Sequence, residues 1–392
     1  MEQEKSVGVE AQVKEYKEKR PFDHADVSFQ MYHRNDFEVK CIAGIMHNDA
    51  VDNVPFSVAF CSKPRYMQQK SRDNRFMARE VINPGPEDYS VLRIDVQETH
   101  VSQVVWNSGL QRVLKVRRAT HGKESDPHDP DHIPEPVVEH LRRAGFYHVA
   151  RMHHMPIDHS LISALVERWR PETHTFHMPQ GEVTITLQDV NAILGLSSDG
   201  EPLIGPTSAN WSNVVQQMLG HQPLPHEIEG SYLRMSFIDR HYGHWVAHQG
   251  MPHTELLYSR AYILRLIGGF LFSDKSGNKV ALRFLPFLDG DFSGMTTYSW
   301  GAAVLALLYR ELCMATNPAQ NIMSGCLTLL QIWAWSRFPP IAPFIPPETD
   351  PNDHYERRFN NFPRRIRPKD LMHYRSTLDT MSRTDVGVCT WL

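Results

Sequence analysis

The chain has 392 residues, of which 41% are hydrophobic and 22% are charged. This composition excludes a collagen-like, low-complexity or disordered protein, because such chains are rich in Gly and Pro or poor in apolar residues. The 41 Lys and Arg nearly balance the 45 Asp and Glu, and the net charge of -4 excludes the overall positive field of a nucleic-acid coat protein.

The chain divides at a turn-forming segment, NPGPED, at residues 83–88. Residues 1–89 have a mixed pattern, which predicts an irregular N-terminal extension with no assigned domain. From residue 90 to 392 helical signals dominate, so we expect a single mainly α domain of the α+β class with a small β-hairpin. Its apolar stretches are far shorter than the roughly 20 residues of a membrane span, so we expect a soluble protein.

Two helices are predicted before the hairpin. Residues 137–145 form the first, which ends at a glycine of the kind that helices favour at the C′ position. Asp158 is placed to cap the second helix, whose apolar stripe begins at Leu161 and closes at Trp169. Pro171 should end this helix, because the residue before a proline disfavours the α conformation.

The hairpin is predicted over residues 175–186, where apolar and polar side chains alternate on both sides of a Pro-Gln-Gly turn. Thr186 and Asp189 then have the spacing of a capping box at the start of the next helix. Gly195 should end that helix.

Four further helices are predicted, at residues 211–219, from residue 254 onward, at 300–314 and at 325–336. The last two are apolar nearly all round, which indicates a central position in the fold. In the long helix from residue 254, Gly268 and Gly269 should allow a neighbouring element to approach closely.

One candidate interaction patch lies where the second helix meets the hairpin. It consists of Arg168, Trp169, Arg170, Glu172, His174 and His177. We expect Trp169 to point inward and its polar neighbours to lie at the rim of one surface, since an aromatic anchor ringed by Arg suits protein binding. The alternative is that these residues join the helix to the hairpin through internal ion pairs.

A basic segment follows the last predicted helix. It contains Arg357, Arg358, Arg364, Arg365, Arg367 and Lys369. Such a segment is typical of phosphate contacts or of a nuclear-import signal. The alternative is a solvated arginine surface that pairs with nearby acids.

Histidine and carboxylate clusters are further candidate sites of chemistry. His241, His244 and His248 have i, i+3, i+7 spacing and could share a helix face, but the sequence suggests no further ligands, so surface or core-edge histidines are favoured. Asp289 and Asp291 fit a capped turn. The sequence lacks nucleophile-elbow, dinucleotide-binding and P-loop motifs, so we expect neither a catalytic nor a metal site.

Several long segments resemble one known family. They are GFYHVARM at 145–152, ALVERWRPETHTFHMPQGEVTITLQDV at 164–190, YSWGAAVLALLYRELCMAT at 298–316 and LTLLQIWAWSRFPPIAP at 327–343. They resemble the plant mobile domain, also called aminotransferase-like, of the MAIN-LIKE (maintenance of meristems-like) proteins. The resemblance covers about three-quarters of the chain, over residues 90–381. The family pattern continues past the final GVCTWL, which predicts a truncated or divergent copy.

The resemblance implies a nuclear plant protein whose relatives are linked to meristem maintenance, genome stability and transposon silencing. It also implies nuclear protein partners, among them a phosphatase of the serine/threonine-protein phosphatase 7 type. The chain has no metallophosphatase motif of its own. The aminotransferase label implies a pyridoxal-phosphate lysine, but Lys275 and Lys279 lie in a polar turn without a glycine-rich phosphate site, so we expect no cofactor.

These points together predict a non-enzymatic nuclear scaffold for protein–protein interaction. The alternative is a nucleic-acid-associated or transposon-derived factor that uses the basic segment.

Overall fold

The computed structural model describes residues 99–116, 133–152, 155–343, 369–382 and 386. The predicted extension at residues 1–89 lies outside them. Across these ranges, no helix combines the length and the apolar character that crossing a membrane requires.

Helices make up most of the described structure. In chain order they are α1 (Val101–Ser108), α2 (Glu135–Ala144), α3 (Tyr147–Arg151), α4 (His159–Val166), α5 (Leu187–Leu194), α6 (Trp211–Leu219), α7 (Met235–Tyr242), α8 (Pro252–Leu266), α9 (Trp300–Ala315), α10 (Leu327–Arg337) and α11 (Leu371–Thr380). Short 3-10 segments and a π-helical turn at Ile267–Leu271 connect some of them.

The strands are short. They are β1 (Lys115–Val116), β2 (Trp169–Arg170), β3 (Thr175–Met178), β4 (Gly181–Val183), β5 (Ile228–Glu229), β6 (Tyr232–Arg234), β7 (Lys279–Ala281) and β8 (Ile322–Met323). β2–β3–β4 and β5–β6–β7 form antiparallel sheets, and β1 pairs with β8 in parallel. The prediction of a mainly helical α+β protein with a hairpin is therefore confirmed.

Local capping signals act as the sequence predicts. The Asp158 carboxylate accepts a hydrogen bond from the Ser160 N–H at 3.0 Å, which begins α4. Thr186 and Asp189 form the reciprocal capping box of α5. Gly195 ends that helix at a φ of 64°, in the left-handed region that favours glycine.

One predicted boundary is wrong. α4 ends at Val166 and does not continue to Pro171. Trp169 pairs with Phe176 across β2 and β3, and the His177 N–H donates to the Arg168 carbonyl at 2.8 Å. After Val166, hydrogen bonds to the hairpin replace the helical ones. The apolar stripe therefore continues past the end of the helix as far as Trp169.

α10 is buried along most of its length. Each residue from Leu327 to Trp335 is buried, as its all-round apolar sequence predicts. The one amide among them, Gln331, donates to the Pro156 carbonyl at 2.9 Å and accepts from the Asp158 N–H at 2.7 Å. These two bonds fix the segment that leads into α4.

Gly268 lies where the π-helical turn packs against β7. A Cβ at this position would collide with the Val280 side chain and lie 2.7 Å from the Met235 Cε. This glycine therefore lets the strand approach the helix, as the sequence predicts.

Replacing Gly268 by Ala should destabilise the fold by roughly 1–3 kcal/mol, because buried side chains around it must shift. Gly294→Ala is the matched control, since a Cβ there meets nothing within 4 Å. Chemical denaturation of both variants checks this. Equal stability of the two would contradict the close packing.

Candidate interaction site

Trp169 occupies the centre of the predicted patch and is fully buried. Its ring lies 4.8 Å from the Phe176 ring and 5.0 Å from the Tyr309 ring, measured between centroids. Its indole N–H donates to the Cys313 Sγ at 3.3 Å. The predicted inward orientation of Trp169 is confirmed.

The two arginines beside it are also buried, at 1% exposure for Arg168 and 0% for Arg170. Arg168 donates to the Ala164 carbonyl at 2.9 Å and forms an ion pair with Asp379. Arg170 donates to the Trp169 carbonyl at 3.0 Å. The expectation that both arginines lie at a surface rim is therefore wrong.

For Arg168, the physical reason is that another helix covers this end of α4. Arg168 also donates to the Arg375 carbonyl of α11, at 3.2 Å. The position of α11 could not be read from the local sequence, because the residues in contact are separated by about 200 positions.

The remaining members of the patch, Glu172, His174 and His177, are partly exposed. His174 adopts a φ of 53°, which is uncommon for a residue other than glycine. Its ring stacks on Tyr309 at 5.5 Å with an interplanar angle of 10°. His177 faces Glu182 across the hairpin, and their nearest side-chain atoms are 2.9 Å apart. These contacts tie the hairpin to itself and to α9.

α11 docks through a buried polar interface that the sequence analysis missed. Arg375 donates to both oxygens of Glu167, from Nε at 2.8 Å and from Nη2 at 2.6 Å. The Tyr374 hydroxyl donates to the Asp158 carboxylate at 2.6 Å. Burial, with this hydrogen bond, raises the pKa of Tyr374.

We call this contact the terminal-helix interface. It consists of Asp158, Glu167 and Arg168 on the body of the domain and Tyr374, Arg375 and Asp379 on α11. A buried, bidentate Arg–carboxylate pair specifies geometry strongly, because two parallel hydrogen bonds must form together. The interface therefore fixes the orientation of α11 in the domain.

His100 lies beside Trp169 and Arg170 and is the N-cap of α1. Its Nδ1 accepts from the Ser102 N–H at 3.1 Å, and its Nε2 lies 3.0 Å from the Trp169 carbonyl oxygen. Nδ1 must then be unprotonated while Nε2 donates, so the ring is neutral. Burial, with the nearby Arg170 charge, lowers the pKa of His100 to about 3.

Stability should fall as the pH is lowered below about 6.5. The unfolded His100 binds a proton near its ordinary pKa of 6.5, whereas the folded one resists protonation until about 3. The stabilisation from neutral His100 is therefore complete above pH 6.5 and is lost progressively as the pH falls from 6.5 to about 3. Between pH 7 and pH 5, we expect His100 alone to lower the free energy of unfolding by about 2 kcal/mol. Burial also lowers the pKa values of His140, His174, His177, His221 and His241.

The variant His100→Asn isolates this contribution, because Asn is a good N-cap that does not titrate. Urea denaturation at pH 5 and pH 7 should show a pH dependence smaller by about 2 kcal/mol than in the unaltered chain. An unchanged pH dependence would show that His100 is not the group responsible.

The basic segment lies largely beyond the described residues. Arg357, Arg358, Arg364, Arg365 and Arg367 fall outside them, and Lys369 is exposed. Its predicted roles in phosphate contact or nuclear import therefore stay predictions.

The histidine trio does not share one helix face, because α7 ends at Tyr242. His241 instead stacks on His221 at 4.1 Å, and His248 donates from Nε2 to the His241 carbonyl at 3.1 Å. Within the described ranges, no group of three or more His, Cys, Asp or Glu is placed to hold a metal ion.

The carboxylate and lysine candidates also make structural contacts. Asp291 accepts hydrogen bonds from the Ser293 hydroxyl at 2.6 Å and the Ser293 N–H at 3.2 Å, which lower its pKa. Lys279 forms an ion pair with Glu229 beside the second sheet.

The sequence profile of the plant mobile domain matches residues 145–391. The chain belongs to the plant mobile domain family. The match includes the hairpin, the buried helices α9 and α10, and both sides of the terminal-helix interface.

Curated relatives of this plant mobile domain protein come from Arabidopsis thaliana. The chain is 42% identical to a serine/threonine-protein phosphatase 7 long form homolog over 65% of its length and 18% of the relative's. It is 37% identical to Protein MAIN-LIKE 2 over 80% of its length and 45% of the relative's. It is 32% identical to Protein MAINTENANCE OF MERISTEMS over 75% of its length and 59% of the relative's.

The chain thus spans less than two thirds of each of these relatives. No solved structure matches it.

Proposed function

We propose that this protein is a non-enzymatic scaffold that binds other proteins in the nucleus. Its relatives include proteins named for the maintenance of meristems, and we extend that kind of role to this chain. A phosphatase of the type 7 class is the partner we propose, because one relative carries that name.

This proposal is supported by the charged side chains inside the fold, which bind other groups of the same domain. Glu167 binds Arg375, and Asp189 binds Arg337 at 2.8 Å. Arg112 donates to the backbone carbonyls of residues 315, 317 and 320. Side chains held in this way specify a structure, whereas general acid–base catalysis needs a group within reach of a substrate.

Purification of the tagged full chain from plant nuclei, with and without nuclease, tests the scaffold. We expect the same protein partners, including a phosphatase, in both samples. Partners that disappear after nuclease treatment would contradict direct protein binding and favour the alternative, a nucleic-acid-associated factor.

The basic segment supports nuclear import and the alternative function, and a neutralised variant separates the two. In this variant, Gln replaces each basic residue of the segment, namely Arg357, Arg358, Arg364, Arg365, Arg367 and Lys369. Cytoplasmic accumulation with the partners retained supports an import signal. Nuclear accumulation with loss of nucleic-acid recovery supports phosphate contact.

The absence of enzymatic activity has its own test. We expect no phosphoester hydrolysis by the purified chain. Hydrolysis that disappears in Asp289→Asn or Asp291→Asn would overturn the non-enzymatic assignment.

A further inference from the structure

We infer that the stacked imidazole rings of His221 and His241 form an acid-sensitive latch between α6 and α7. The latch holds the turn after α6 against the end of α7 while the rings are neutral, and it opens when they are protonated. This inference concerns a conformational change within the domain and is independent of the proposed partners.

The two rings of the latch lie face to face. Their centroids are 4.1 Å apart, and their planes differ by 18°. The His221 ring also contacts the edge of the Tyr242 ring, with the centroids 5.8 Å apart. His221 is exposed and follows Gly220, which ends α6 at a φ of 68°. An exposed turn is thus joined to α7 through aromatic contacts.

Arg240 requires that His241 be neutral in this arrangement. The Arg240 Nη2 lies 3.1 Å from the His241 Nε2. Because a guanidinium can only donate, this Nε2 is an unprotonated acceptor. Glu227, which is 3% exposed, binds Arg240 at 2.7 Å and so holds the guanidinium beside the ring. A proton that His241 gains must therefore go to Nε2, where it would face the Arg240 donor.

The other titratable groups around the latch do not offset this added charge. His248 donates from Nε2 to the His241 carbonyl at 3.1 Å, and its ring stacks on Tyr242. Burial raises the pKa of Tyr242, so this side chain stays neutral. Glu227 favours a proton on His241, but it is already paired with Arg240. Two protonated rings would therefore repel each other across the stack.

The direction of the pH response follows from the closed arrangement. Burial lowers the pKa of both rings, helped for His221 by the charges of His248 and Arg240 and for His241 by those of His221 and Arg240. In the open form the rings titrate near their ordinary pKa of 6.5. The closed latch is therefore fully favoured above about pH 6.5 and loses this advantage as the pH falls.

Contacts on both sides of the turn confine the opening. The Tyr242 hydroxyl donates to the Leu219 carbonyl, and Pro223 is buried. Gln222 donates to the Ser212 hydroxyl at 2.5 Å, but this bond is exposed and water can replace it. We therefore expect α6 and α7 to stay in place while the His221 side chain leaves the stack.

Nuclear Overhauser spectroscopy of the full chain tests the latch. A cross-peak between the ring protons of His221 and His241 should be present at pH 7, be lost at pH 5 and return at pH 7. The cross-peak between Trp169 and Phe176, whose rings are 4.8 Å apart, should stay throughout. A His221–His241 cross-peak that persists at pH 5 would overturn the inference. Loss of both cross-peaks together would also overturn it, because the domain as a whole would then unfold.

The variant His241→Phe separates titration from stacking. It keeps an aromatic ring that takes up no proton, and a protonated His221 is attracted to the face of such a ring. The contact with His221 should therefore survive at pH 5. His244→Phe is the matched control, because His244 is exposed just after α7. This control should open at pH 5 like the unaltered chain. If His241→Phe opened equally at pH 5, protonation of His241 would not be the trigger.

Discussion

Replacing Glu167 by Gln should lower the free energy of unfolding by about 3–5 kcal/mol. The substitution keeps the shape of the side chain but leaves the Arg375 guanidinium buried without its carboxylate. Arg375 is 3% exposed and Glu167 is 1% exposed, so water cannot solvate the unpaired guanidinium. Chemical denaturation of the full chain measures the change.

Glu139→Gln is the matched control for this prediction. Glu139 also pairs with an arginine, Arg143 at 3.1 Å, but both side chains are about half exposed. Removing that charge should change stability by less than about 0.5 kcal/mol. Similar losses in the two variants would mean that burial does not set the contribution of the Glu167 pair.

Trp169→Ala should destabilise the protein by roughly 3–5 kcal/mol. The indole fills the space between the hairpin and α9, where it contacts Phe176 and Tyr309. Its removal leaves a cavity that the surrounding rings fill only in part. Thermal and chemical unfolding should give the same loss of stability. Trp169→Phe should reduce the free energy of unfolding by less than Trp169→Ala.

Ile204→Ala provides the comparison, because Ile204 is a large apolar residue that is 63% exposed. We expect its substitution to change stability by no more than about 0.5 kcal/mol. If Trp169→Ala were equally mild, Trp169 would not anchor the junction of α4 and the hairpin.

Local structure in this protein can be predicted from short sequence signals. Asp158, the Thr186 capping box and the glycines after α2, α5 and α6 each mark a helix end that the structure contains. These signals act through hydrogen bonds and backbone angles within a few residues, so they need no knowledge of the rest of the fold.

The end of α4 shows where local signals fail. The apolar period predicts a helix as far as Trp169, yet β2 forms because the hairpin supplies backbone partners. The sheet β5–β6–β7 escapes prediction for a related reason. Its strands have only two or three residues, and β7 lies about 45 positions after β6, so no run of alternating residues is long enough to indicate it.

The role of the candidate patch, in binding or in supporting the fold, depends on long-range contacts. The sequence places Arg168 and Arg170 beside a buried tryptophan, and it leaves open whether they bind a partner or support the fold. The structure favours support, because Arg168 pairs with Asp379, 211 positions away. A single sequence carries no local signal for such a pair.

The structural role of these two arginines is tested most directly by the melting temperature of the full chain with Arg168→Ala and Arg170→Ala. The matched control is Arg142→Ala with Arg143→Ala, since those side chains are 52% and 47% exposed on α2. The buried pair should lower the melting temperature by about 10 °C or more, and the exposed pair should leave it nearly unchanged. Equal melting temperatures for both variants, together with loss of partner recovery only in Arg168→Ala with Arg170→Ala, would contradict the structural role and restore the binding patch.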